Sequence, residues 1–226
     1  MKKVYSDIPG SYELVNHLLT MGTDIITRRR AAKIAVRQGG DTWLDICCGT
    51  GEMTANLMRL KKNGTKVFGA DFSPEMIALA VAKPENKEVG FTISEAEHLP
   101  YRDNFFDIIT ISYATRNLNS TRELLIQRFS EINRVLKPGG TFVNLETSQP
   151  RNKLFRKIMH LYVGVSVARI GALISGNKAG YAYLAASIPR FYEPDELCKI
   201  LKASGFSSID YTPMFFGAIA AHRAVK

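Results

Sequence analysis

The stretch TWLDICCGTGEM, residues 42–53, constrains this chain more than any other. An apolar run of strand length leads into an acid, then Gly-x-Gly, then residues that read as the start of a helix. A glycine-rich turn in that position brings backbone N–H groups close to a ligand and aims a helix N-terminus at it. The same rhythm repeats downstream. Residues 52–62 read as helix, KVFGAD as a second strand, and residues 74–82 as a helix with Ser73 as N-cap and Pro74 in its first position. VGFTI and FDIITIS make a third and a fourth strand. Residues 121–136 form a long amphipathic helix stopped by the turn KPGG, after which TFVNLE is a fifth strand. Alternating elements of this length imply a parallel sheet with helices on both faces. The end of the pattern departs from this. A helix over residues 194–204 is followed by FSSIDYTPM and FGAIAAHRAV, two strand-like runs with little more than a turn between them, which predicts an antiparallel hairpin closing the sheet edge.

The 226 residues, 46% of them apolar, suffice for one domain with a buried core. Charge is unevenly spread over that length. The formal net charge is +9, yet residues 151–192 contain seven Lys or Arg and no acid, and residues 1–40 contain seven against three. The remainder is slightly acidic. These two basic segments are expected to lie outside the α/β core, as an N-terminal helical segment (1–40) and an insertion (151–192) that together cap a site. The asymmetry points to a partner or surface of negative charge. The insertion begins KLFRKIMHLYVGVSVARIGALISG, in which only eleven residues separate Lys157 from Arg169. That is too short to span a bilayer, which takes about 20 residues, but suits a helix lying in its surface. The N-terminus reads as lacking a signal peptide, so the chain is expected to stay in the cytoplasm. Three cysteines, two of them adjacent, fit neither a disulfide framework nor a zinc site. No metal is called for.

The turn itself says what kind of ligand to expect. A dinucleotide fingerprint needs a third glycine three residues after the second. Thr54 stands there, and Glu52 follows the second glycine, an acid unsuited to a pyrophosphate. Asp45, four residues before Gly49, suits a cation instead. The expected ligand is a nucleoside without phosphates, carrying positive charge. Asp71, at the end of the second strand and twenty residues after Gly51, can accept hydrogen bonds from both ribose hydroxyls. Glu95, after the third strand, is placed for an adenine amino group and the Ala96 amide for a ring nitrogen.

LDICCGTGEM, GADFSPEM, SEAEHLPYRDNFFDII and RVLKPGG together resemble the successive motifs of class I S-adenosylmethionine-dependent methyltransferases. SYELVNHLLTMG, ATRNL, YAYLAASI and GAIAAHRAVK resemble, more narrowly, the C-methyltransferases of menaquinone and ubiquinone biosynthesis. The resemblance implies a Rossmann-like, doubly wound, mostly parallel sheet of seven strands with an antiparallel C-terminal hairpin. It implies S-adenosylmethionine held by Asp45, Cys47, Gly49, Thr50 and Gly51 at the turn, by Asp71, Phe72 and Met76 after the second strand, and by Glu95, Ala96 and Ser112 beyond the third and fourth.

Arg116 and Asn117, after the fourth strand, are implied to face the substrate, with Arg116 stabilising a phenolate or orienting a water. His222 is a candidate general base, although a lone His in an apolar strand more often packs there. Tyr12 and Asn16, one helical turn apart, are candidates for the substrate side. Tyr181, Tyr183 and Ser187 are expected pocket walls in the cap. The implied acceptor is a lipophilic hydroquinone with a polyprenyl tail, which resides in a bilayer, so peripheral contact with an anionic membrane at its inner face is expected. The competing readings are a methyltransferase for another small molecule or for RNA, and a non-catalytic S-adenosylmethionine-binding protein. Aromatics interleaved with the basic residues, which RNA would ask for, are not evident. The oligomeric state is not written in these motifs.

Overall fold

The computed structural model of the chain describes residues 17, 20, 22–167 and 185–226. The sheet has seven strands: β1 (Thr42–Ile46), β2 (Lys66–Asp71), β3 (Gly90–Ile93), β4 (Phe106–Ser112), β5 (Leu136–Thr147), β6 (Ser208–Met214) and β7 (Ile219–Val225). Their spatial order is β3-β2-β1-β4-β5-β7-β6. Pairings from β3 through β5 are parallel, and β7 runs antiparallel to both β5 and β6. This is the α/β architecture and hairpin expected from the sequence. The chain reverses its direction of travel across the sheet between β1 and β4, which opens a crevice beyond their carboxyl ends.

Among the helices are α1 (Thr23–Ala35), α2 (Glu52–Met58), α3 (Pro74–Ala82), the single turn α4 (Thr115–Leu118), α5 (Arg122–Val135), α6 (Lys153–Tyr162) and α7 (Pro194–Ala203). Local chemistry sets their starts. The Ser73 side chain accepts the Met76 amide at the head of α3, where Pro74 stands first, and Thr121 accepts the Leu124 amide at the head of α5. Glu193 and Glu196 form a reciprocal capping box on α7.

Side-chain alternation along the strands separates two apolar layers. Trp43, Ile108 and Val143 face α1 and α2, together with Ala31, Ala32, Ala35, Met53 and Leu57. Leu44, Ile109 and Phe142 face the other way, onto Leu125, Phe129 and Ile132 of α5 and Leu197 and Ile200 of α7. Each such large side chain contributes about 1.5–3 kcal/mol by its burial. The central strands are buried on both faces, hence their unbroken apolar runs.

The structure departs from the expectation at three places. α1, which the sequence reading set outside the core, lies in it: Ala31, Ala32 and Ala35 are fully buried, while Arg29, Arg30 and Lys33 stay in solvent. α2 ends at Met58 rather than at residue 62, where it tightens into turns: the Leu60 amide donates to the Leu57 carbonyl at 2.9 Å, and the Thr65 amide to the Lys62 carbonyl at 3.1 Å across Gly64, at φ +87°. The KPGG turn sits inside β5, not before it. Leu136 pairs with Phe106 and Thr141 with Ile108, so residues 137–140 loop out opposite Asp107. Lys137 Nζ holds that carboxylate at 2.8 Å.

Beyond β5, α6 stands apart from the core with no buried residue. Leu154, Ile158 and Leu161 repeat along one stripe and are 70%, 55% and 68% exposed. Among the described residues no helix is long and apolar enough to cross a membrane.

Candidate active site

A cavity of about 250 Å³ lies at the carboxyl ends of β1, β2 and β4. Its floor is the turn between β1 and α2. Cys47, Gly49 and Gly51 have φ of 52°, 53° and 79° there, and the Cys48 amide donates to the Ala70 carbonyl at 3.0 Å, tying the turn to β2. The two glycines differ in what they require. A Cβ on Gly51 would lie 2.4 Å from Asn86 Nδ2 and 3.1 Å from the Ala80 Cβ, whereas one on Gly49 would meet nothing within 4 Å. Gly51 therefore lets α2 pack against α3, and Gly49 keeps the cavity floor low.

Asp71 closes the turn from β2. Its Oδ2 accepts the Gly49 amide at 2.9 Å and its Oδ1 the Ser73 amide at 3.0 Å. Burial raises its pKa, and the amide hydrogen bonds work against that. Phe72, Met76, Thr50, Ser112, Glu95 and Ala96 also border the cavity, as do Cys47 and Cys48. Burial pushes both thiols up, Cys47 and Cys48 alike, which makes them inert neutral wall. Glu97 reaches the wall too, and Arg128 pairs with it from α5.

Asp45 is placed differently from the reading that set it against a cationic ligand. It is fully buried behind the turn, outside the cavity wall, and accepts the hydroxyls of Thr54 and Thr110, each at 2.8 Å. Burial drives its pKa up to about 7 against the lowering effect of those two hydroxyls. Thr54, at the position of the missing third glycine, thus ties α2 to β1 by its side chain.

Arg116 is also displaced from its expected place. Its guanidinium is buried on Glu146 of β5 at 3.1 Å and donates to Thr147 Oγ1 at 2.9 Å, while its own amide donates to the second Glu146 oxygen at 3.0 Å. It does not border the cavity. The motif residue that does is Asn117, whose Oδ1 is buried without a hydrogen-bond donor among the described residues. His222 is a packed strand residue, as its apolar run allowed. Its Nε2 meets the Pro194 carbonyl at 3.1 Å, its ring leans on Tyr211, and burial lowers its pKa to about 4. Ser187 is half-buried beside Ile188 and away from the cavity wall. Tyr12, Asn16, Tyr181 and Tyr183 lie outside the described residues.

Sequence reasoning passed over one wall altogether. His17, Asp24 and Arg28 border the cavity from the N-terminal segment, facing Tyr113. Asp24 Oδ2 meets His17 Nδ1 at 2.7 Å and Arg28 NH1 at 2.5 Å, and its Oδ1 accepts the Thr20 hydroxyl at 2.8 Å. The Arg28 guanidinium lies 5.0 Å over the Tyr113 ring, whose hydroxyl shares a 2.6 Å hydrogen bond with Thr27. The Asp24–Arg28 spacing of four residues was the available signal.

These residues fit a nucleoside with a sulfonium. The floor exposes backbone, Asp71 and Glu95 offer acceptors, Phe72 and Met76 offer apolar surface, and the wall is rich in acids. Solved methyltransferases share the fold: a SAM-dependent enzyme from Aquifex aeolicus (TM-score 0.59, 20% identity, 86% of this chain and 88% of that one) and a possible histamine N-methyltransferase from Thermotoga maritima (0.62, 18%, 96% and 94%). The demethylmenaquinone methyltransferase of Thermus thermophilus is 37% identical over 97% of this chain and 98% of its own. The ubiquinone/menaquinone biosynthesis C-methyltransferase UbiE of Shewanella frigidimarina is 33% identical over 99% and 89%. The ubiE/COQ5 methyltransferase family matches residues 1–226, and the chain belongs to that family.

Proposed function

We propose that this methyltransferase moves a methyl group from S-adenosylmethionine to a ring carbon of a hydroquinone bearing a polyprenyl tail, of the demethylmenaquinol kind. The observation that carries the reading is the likeness to a relative named demethylmenaquinone methyltransferase along 97% of this chain. A single cavity that runs from Asp71 and Glu95 to His17 and Asn117 supports it, since both reactants need one chamber.

In this reading Asp71 holds the ribose, Glu95 and Ala96 the adenine, and Phe72 and Met76 sandwich it against the glycine turn. When bound, S-adenosylmethionine supplies an electrophilic methyl on a positively charged sulfur. The sulfonium needs no Lewis acid, so the reading uses no metal. The protein's principal work is then to fix the ring carbon in line with that methyl, and positioning of this kind can supply about 7–11 kcal/mol. Asn117, whose Oδ1 meets no donor among the described residues, takes a ring hydroxyl as a hydrogen-bond donor.

The tail accounts for the surface. The apolar stripe of α6, flanked by Arg151, Lys153 and Lys157, suits a helix resting on anionic lipid at the inner face of the cell membrane. Residues 151–192 then form the cap through which the ring enters.

The test is a transfer assay with labelled S-adenosylmethionine and a reduced, short-tailed demethylmenaquinone. The lipid product should gain one methyl in place of a ring hydrogen. Cofactor binding by calorimetry without any transfer would overturn the acceptor and retain the fold.

A further inference from the structure

A hydroxyl on the ring must lose its proton as the carbon attacks, and the reaction proposed above leaves the base unnamed. The acids and thiols of the cavity wall are mostly engaged elsewhere. Asp71 is fixed by two backbone amides, Glu52 by Lys83, and Glu97 by Arg128. Glu95 stands at the exposed rim. Burial pushes the Cys47, Cys48 and Tyr113 acids up, so none supplies a ready anion. The Tyr113 hydroxyl is in addition bonded to Thr27.

His17 differs from all of these. It is the one imidazole among the described residues of the wall, and its side chain is 29% exposed. Nδ1 lies 2.7 Å from Asp24 Oδ2, a carboxylate only 2% exposed. Asp24 does not rely on His17 for neutralisation, because Arg28 and Thr20 hold it as well. A carboxylate so held fixes the neutral ring with its proton on Nδ1 and the lone pair on Nε2. It also stabilises the imidazolium once Nε2 has taken a proton.

We propose that His17, oriented by Asp24, is the general base of the transfer; this rests on the hydroquinone reading above. His17 Nε2 takes the proton of a ring hydroxyl. The electron pair released on oxygen passes through the ring to the adjacent carbon, which forms a bond to the methyl carbon as the carbon–sulfur bond breaks and the sulfur keeps that pair as a neutral thioether. The methylated carbon then loses its hydrogen to water, and the ring oxygen takes back the proton from His17. The net release is one proton to solvent, with no oxidant or reductant.

The test uses the full chain, a reduced short-tailed demethylmenaquinone and S-adenosylmethionine, comparing wild type with His17→Gln and His17→Ala. Both variants should lose about 10²- to 10⁴-fold in kcat, the range of general-base catalysis. Calorimetric affinity for S-adenosylmethionine and the Tm should stay near wild type, because the ring is part-exposed and lies outside the apolar layers. Added imidazole should restore turnover to His17→Ala and not to His17→Gln, whose side chain fills the space, a readout that a structural role would not move. A His17→Gln enzyme within twofold of wild-type kcat overturns the proposal while transfer by wild type upholds the function. A folded His17→Ala that is slow but indifferent to imidazole, at concentrations that rescue no other variant, also overturns it. Wild type that binds the cofactor and methylates no hydroquinone overturns both together.

Discussion

Asp71 Oδ2 accepts the amide of Gly49 at 2.9 Å, so the carboxylate read as a ribose ligand is also the strut of the glycine turn. Its two tasks separate by substitution. Asp71→Asn keeps an acceptor oxygen and should weaken S-adenosylmethionine binding about 10-fold. Asp71→Ala strands two amides and removes hydrogen bonds to a charged group worth about 1.5–3 kcal/mol each, and should weaken it 100-fold or more. Calorimetric affinities equal to wild type for both would remove Asp71 from the cofactor site.

Asp45 and His222 pull stability in opposite directions with pH. Burial raises Asp45 from 3.8 to about 7, so its contribution is full below pH 3.8 and is lost as pH rises through 7. Burial lowers His222 from 6.5 to about 4, so its contribution is full above pH 6.5 and is lost as pH falls through 4. Asp45→Asn should therefore gain stability relative to wild type between pH 4 and 8. His222→Gln should gain relative to wild type between pH 7 and 4. Urea denaturation across that range decides it, and a difference from wild type that does not change with pH refutes the assignment.

Arg116 is bound to Glu146 where both are buried, at 7% and 1% exposure. Arg116→Ala leaves an unpaired buried carboxylate and should cost about 3–5 kcal/mol, whereas Arg116→Met with Glu146→Leu, which removes both charges, should cost less than either change alone. The variants' activity loss should follow the folded fraction measured by circular dichroism. A stable Arg116→Ala protein that binds cofactor and has no turnover would return Arg116 to the catalytic machinery.

The α6 stripe can be altered without disturbing the core. Leu154, Ile158 and Leu161 are all more than half exposed, so changing the three to Glu should move stability by less than about 0.5 kcal/mol per site. Sedimentation with vesicles rich in anionic lipid should fall to background, and in wild type it should weaken with salt, each basic residue contributing about 1 kcal/mol near such a surface. Wild type that ignores the lipid charge would sink this surface as a docking face.

The core was legible because its strands are buried on both faces. TWLDI, KVFGAD and FDIITIS declare themselves as apolar runs, the latter two ending in Asp71 and Ser112 of the cavity wall. Asp71 and Glu95 were readable for the same reason, as polar residues where a strand stops. α1 was not, since its buried face joins alanines and Ile34 to the polar Asp24, Thr27 and Arg28, while Arg29, Arg30 and Lys33 add to its basic composition. Arg116 looked like a free charge beside the site because its partner, Glu146, is thirty residues away and meets it only through the pairing of β4 with β5. His17 and Asp24 went unread since a seven-residue spacing marks no pair in a sequence until the fold brings His17 Nδ1 to Asp24 Oδ2. His222 stood as a candidate base because the Pro194 carbonyl that engages it belongs to α7, far from β7 in the sequence.

The strand order β5-β7-β6 has a consequence for how the chain emerges from the ribosome. β6 is synthesised before β7 but has no neighbour in the sheet until β7 exists to stand between it and β5. A nascent chain that has reached β6 therefore presents two unsatisfied ladders at once, the outer edge of β5 and the whole of β6, each able to pair wrongly with another chain. The tight turn at residues 215–217 shortens that interval: β6 and β7 can zip together locally and then add to β5 as a finished pair. Translation pauses placed between β6 and β7 should accordingly be more damaging to yield than pauses anywhere in the parallel half of the sheet.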